Sequence, residues 1–151
     1  MVSNIAGLGG VIAPYAAPEI VQVREVLPNQ NKKTVVERSM TVEEYVRGYF
    51  SDIPVMAEVA HCESRFRQHD SKGEVLRGEE NRLDRGVMQI NEFYHGIKAK
   101  QLGYDILAIE GNTAYARHLF EKSGLQPWVS SSKCWQGSAA YAEYKDLAIN
   151  N

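Results

Sequence analysis

From Thr41 onward the apolar residues recur at helical spacing, and the pattern breaks once, at QHDSKGEVLRGEENRLDRG, residues 68–86. That stretch is rich in Gly, Asp, Asn and Ser, with one β-like run at Glu74–Arg77 between Gly73 and Gly78, so a small hairpin or irregular lobe is expected there. The interruption constrains the fold because helical patterns lie on both sides of it. Before it, TVEE places Thr41 at the N-cap and Glu44 at the third position of a capping box. Val42, Tyr45, Val46, Tyr49 and Phe50 continue that helix. Ser51 or Asp52 is expected to cap a second helix with Pro54 in its first turn. After it, helical patterns cover about 87–102, 110–123 with Gly124 as the stop, and 136–148. Helices, a small β lobe, then helices make a mainly helical α+β domain over residues 41–151.

Residues 1–40 read differently. Residues 1–18 carry no charged side chain, and are either the remnant of an export signal without its basic start or a tail. Residues 19–40 are polar and interrupted by Pro28, which predicts a linker or loosely attached arm. The length of 151 residues fits one domain, and 44% apolar content supports a core that needs no metal to fold. A net charge of −2 gives no case for a nucleic-acid partner, and no apolar run reaches the length of a membrane span.

One residue sits where an apolar side chain belongs. On a helix over Pro54–Phe66, Val55, Met56, Val59, Ala60 and Phe66 share a face, and Glu63 falls among them. Glu58, His61, Ser64 and Arg65 take the other side. A carboxyl on a buried stripe is costly unless it is neutral or paired, and Arg82 or Arg85 could serve as a plain structural partner. Asp84, at the far end of the lobe, suggests another use. A dry carboxyl and a wet one facing across a cleft are what glycosidic cleavage requires: the first keeps a proton for the leaving oxygen, the second steadies the positive anomeric carbon. Asp84 could equally be a turn residue accepting backbone N–H groups.

ESRF followed by DRGVMQIN resembles the lysozyme superfamily, and more closely the soluble lytic transglycosylases of bacteria. HCES and PWVSSSKCW are also similar to the resuscitation-promoting factors, which place one Cys before the catalytic Glu and a second after a Trp. The resemblance spans about residues 41–136 and implies a lysozyme-like fold with cleavage of the β-1,4 bond between N-acetylmuramic acid and N-acetylglucosamine. It implies Glu63 as the acid, as in animal lysozyme, with Asp84 as second carboxylate only if the enzyme is a hydrolase. Ser64, Met88, Gln89 and Asn91 are implied to line the cleft, with Gly86 letting the backbone approach the sugar. Asn112 and Tyr115 are similar to a cleft-side Asn-x-x-x-Tyr region, although Asn112 could instead cap its helix. A later Ala-Tyr-Asn-Ala-Gly motif of many transglycosylases is represented only by SAAYAEYK, with Tyr141 as a weak stand-in. The resemblance pairs Cys62 with Cys134; without it, two buried free thiols are the plain alternative.

Trp128, Trp135, Tyr94, Tyr104 and Tyr115 offer faces for sugar stacking or are core. His61, His69, His95 and His118 are not spaced as metal ligands, so no metal or cofactor is expected. The expectation is a monomeric, secreted or cell-envelope enzyme acting on peptidoglycan glycan strands, a lytic transglycosylase in preference to a muramidase. A wall-binding module without chemistry is the competing class.

Overall fold

The capping box forms as the sequence dictates. In the computed structural model, which describes residues 18–29 and 32–149, the Thr41 N–H donates to Glu44 Oε2 at 2.8 Å and the Glu44 N–H donates to Thr41 Oγ1 at 3.1 Å. Two otherwise orphaned N–H groups are thereby satisfied at the start of α1, Val42–Tyr49, which buries Val42 and Val46. The export-signal or tail reading of residues 1–17 lies outside the described residues.

The second helix, α2, spans Val55–Ser64 and has no side-chain cap. Neither Ser51 nor Asp52 serves, because the preceding turn already supplies acceptors: the Met56 N–H donates to the Ile53 carbonyl and the Ala57 N–H to that of Pro54. Asp52 instead pairs with Arg117 at 2.7 Å. The helix ends before the expected Phe66, since Arg65 and Phe66 both take φ of 56°. This left-handed turn carries Phe66 into the core by a different route, while Ser64, expected on the outer side, is buried. The Ser64 hydroxyl donates to the Ala60 carbonyl and accepts from the Arg67 N–H as the chain folds back over it.

The lobe that follows is small and irregular. Its β structure consists of the single bridges His69–Val75 and Arg77–Arg85 and a two-residue pairing of β3, Asp84–Arg85, with β4, Ile90–Asn91. The helix expected from residue 87 begins only at Glu92. Residues 86–89 are a tight turn closed by the Gln89 N–H on the Gly86 carbonyl, with Gln89 at φ 50°. Asn91 then caps α3, Glu92–Gln101, by accepting from the Tyr94 N–H. Next come α4, Ile109–Ser123, a 3₁₀ segment at Gln126–Ser131, α5 at Ser132–Trp135 and α6 at Ala139–Ile149. The chain is therefore a mainly helical α+β protein.

Residues 20–41 correct the linker expectation. They form an antiparallel ribbon of β1, Ile20–Asn29, and β2, Lys32–Thr41. The run is rich in β-branched residues, which suit extended backbone. Pro28 is tolerated because both strands of a two-stranded ribbon are edge strands. The ribbon's base belongs to the body: Val21 and Met40 are in the core, and Glu19 Oε2 accepts from the Gln68 and His69 N–H groups while Oε1 lies 2.7 Å from His69 Nδ1.

A disulfide joins Cys62 of α2 to Cys134 of α5. Around it the core gathers Val46, Phe50, Met56, Val59, Val87, Met88, Tyr115, Trp128 and Trp135.

Candidate active site

The last turn of α2, the tip of the lobe and the 3₁₀ segment enclose a cleft of about 780 Å³. Glu63 and Ser64 line it from the end of α2, Asp84 and Gln89 from the lobe and the turn after it, and Ser130 and Ser131 from the 3₁₀ segment. A recess of about 120 Å³ continues from the same carboxylates to Asn91, His95 and Trp128.

Burial holds the Glu63 carboxyl above the usual carboxylate range; the polar Ser131 hydroxyl beside it pulls it back, and the nearby Asp84 charge pushes it further up. Arg85, one candidate for a structural partner, is bonded to Glu92 instead. Among the described residues no salt bridge reaches Glu63. Asp84 Oδ1 accepts from the side-chain amide of Asn91 at 2.7 Å, across the β3–β4 pair. The arrangement is thus a protonatable carboxyl against a fixed carboxylate, which suits transfer of one proton to a leaving oxygen beside a developing positive charge.

The implied site residues divide. Ser64, Gln89 and Asn91 border the cleft or its recess with the two carboxylates. Gly86, Met88, Asn112 and Tyr115 are absent from both linings and serve the interior. Gly86 has φ of 64° and lies against side chains, not open space: a Cβ there would stand 2.7 Å from Gln68 Oε1 and 2.8 Å from Asn112 Nδ2. Met88 is fully buried, with its N–H donating to Asn112 Oδ1 and its carbonyl accepting from Trp128 Nε1. Asn112 does not cap α4; its amide donates to the carbonyls of Arg85 and Ile106, tying the lobe to that helix. Tyr115 is buried among Tyr104, His95 and His118, with its hydroxyl 3.2 Å from His95 Nδ1.

Of the aromatic candidates, Trp128 reaches the recess from the core, and Trp135 packs behind it with Nε1 donating to the Trp128 carbonyl. Tyr94 is three-quarters exposed on α3. Tyr104 borders a separate groove with Ile97 and Leu107, and Tyr141 packs on Trp135. His61 lies within 4.8 Å of both disulfide sulfurs, which are bonded to each other and leave no thiolate for a metal.

Several cleft residues escape sequence reasoning: Arg65, Arg67, Arg77, Glu79 and Glu80 beside Ser130 and Ser131, with His95 in the recess. Ser130 and Ser131 come from the VSSSK run, whose only visible signal was the following Cys134. His95 reads as an isolated histidine, yet α3 sets it one turn beyond Asn91, where burial holds its imidazole below the usual histidine range. Comparison of the chain with protein-family models, curated proteins and solved structures gives no match.

Proposed function

We propose that the chain is a peptidoglycan-cleaving enzyme of lysozyme-like fold, cutting the β-1,4 bond between N-acetylmuramic acid and N-acetylglucosamine with Glu63 as general acid and base. The observation that carries this reading is that Glu63, largely withdrawn from solvent, and Asp84 line the same open cleft, where burial favours the protonated form of Glu63. Glu63 gives its proton to the glycosidic oxygen as the C1–O bond breaks. In the favoured transglycosylase course, the muramic C6 hydroxyl attacks C1 and returns a proton to Glu63, leaving a 1,6-anhydromuramic end. The substrate places the enzyme outside the cytoplasm, a location that suits the Cys62–Cys134 bridge. Among the described residues no helix is long and apolar enough to cross a membrane.

One observation favours a hydrolytic second reading. The Asn91 amide holds the Asp84 carboxylate, which lines the same cleft as Glu63 and there could stabilise the anomeric cation or trap it before water attacks. Digestion of purified sacculi followed by mass spectrometry of the products tests both. Glu63→Gln should fold and lose cleavage by roughly 10²–10⁴-fold, the usual worth of a general acid. A folded Gln variant that cuts at the parent rate would exclude Glu63 as the acid, and reducing muramic ends would replace the transglycosylase course with the hydrolytic one.

A further inference from the structure

The turn after Glu63 sets two consecutive residues in the left-handed region and so turns a run of arginines toward the cleft. Arg65 and Phe66 both take φ of 56°, a region that residues with a Cβ enter at a cost and that often marks a functional site. Phe66 gains burial from it, with the Arg47 guanidinium 5.0 Å over its ring. Arg65 is the left-handed C-cap that ends α2, its N–H donating to the His61 carbonyl at 2.8 Å, and this exposed residue borders the cleft beside Glu63. The same turn brings Arg67 to that wall, where its Nε donates to the Ser64 carbonyl at 2.9 Å. That bond fixes the guanidinium by one edge. Arg77 enters the cleft from the lobe, positioned by its backbone bridge to Arg85. Glu79 and Glu80 also border the cleft, yet among the described residues no salt bridge joins either to these arginines. Arginines that line one cleft with an acid site, and that no salt bridge among the described residues joins to a carboxylate, suit a planar anionic group on the ligand.

We propose that Arg65, Arg67 and Arg77 form a carboxylate-binding rim of the Glu63 cleft, taking the carboxylate carried at C3 of a muramic residue. This inference rests on the peptidoglycan reading and names the chemical group that selects the strand. That carboxylate is the lactyl group itself where the strand has no stem peptide, or belongs to the stem peptide where one is attached. A neutral chito-oligosaccharide offers the same backbone without it.

The test is binding, measured by calorimetry on the Glu63→Gln chain so that ligand is not consumed. Three glycans of matched length serve as probes: chito-oligosaccharide, amidase-stripped glycan strands, and strands with their stem peptides. The parent should prefer the two carboxylate-bearing glycans, with a preference that weakens as salt rises. Arg65→Gln combined with Arg77→Gln should reduce that preference roughly tenfold, the scale of one charge-assisted hydrogen bond. Adding Arg67→Gln should reduce it further; the double variant keeps the test valid if loss of the Arg67–Ser64 bond disturbs the fold, which thermal melting reports. Loss on stripped strands assigns the lactyl carboxylate, and loss confined to peptide-bearing strands assigns the stem. Equal preference in parent and double variant, or no preference in the parent, overturns the rim. Arginine-dependent binding by a wild-type chain that leaves sacculi uncut would overturn the cleavage reading and leave the rim standing.

Discussion

Gly86→Ala tests the packing that aligns the two walls of the cleft. The new Cβ would stand 2.7 and 2.9 Å from Gln68 Oε1 and Nε2 and 2.8 Å from Asn112 Nδ2. These are side-chain ends, but none can swing away freely. Gln68 Oε1 accepts from the Val87 N–H and its Nε2 donates to the Leu107 carbonyl, while Asn112 bonds the Met88 N–H and the Arg85 and Ile106 carbonyls. Both side chains are fully buried, so a broken bond there finds no water. The left-handed backbone adds about 1–2 kcal/mol for any residue with a Cβ, and one lost buried bond adds about 1–3 kcal/mol, giving about 2–5 kcal/mol in all. Gly73→Ala is the control: its φ is 81° and a Cβ there meets nothing within 4 Å, so only the backbone cost should remain. Urea unfolding followed by tryptophan fluorescence measures both. Alanine variants at 73 and 86 that unfold within about 0.5 kcal/mol of each other would refute the reasoning.

Glu63 makes stability depend on pH. Its folded pKa is raised mainly by burial, so stability should be highest below the ordinary carboxylate range and fall as pH rises through the raised value. Glu63→Gln should therefore melt above the parent at neutral pH and level with it in acid; a variant melting below the parent at neutral pH contradicts this. Cleavage should fall over the same rise in pH, as the acid loses its proton, and a rate that climbs there would remove Glu63 from that role. Reducing Cys62–Cys134, which are 72 residues apart, should cost about 4 kcal/mol by loop entropy and lower activity alongside stability. Calorimetry with and without reductant decides, and an unchanged melting temperature speaks against any contribution from the bridge. Asp84→Asn should leave a transglycosylase nearly intact and cripple a hydrolase; sacculus digestion kinetics separate the two.

What could be read from the sequence was local. The capping box at Thr41 and the Gly124 stop of α4 involve residues a few positions apart, and both form. Glu63 stood out because it broke a local stripe, although α2 stops two residues short of the predicted end. The stretch from residue 87 reads as helix because Val87, Met88 and Ile90 are apolar at compatible spacing; their burial comes from the surrounding core, not from a helical face. Gln68 gives no signal and Asn112 reads as a cleft residue or a cap, since a polar strut between distant elements has no period. Pro28 hides the ribbon, since it reads as a breaker unless every strand is known to be an edge. The place of Ser131 beside Glu63 depends on the folded path that brings the 3₁₀ segment against α2, which no run of residues encodes.

The clamp at Glu19 also decides how the molecule bears force. Its carboxylate holds the Gln68 and His69 amides, and its carbonyl accepts from the Val42 N–H. A pull applied at Pro18 must rupture these bonds before the first ribbon pair, Ile20 with Thr41, begins to unzip. The tension therefore divides at once between the start of α1 and the peptides just beyond the Arg65–Phe66 turn, so a tether attached ahead of residue 18 would strain the wall of the cleft before it lengthened the hairpin.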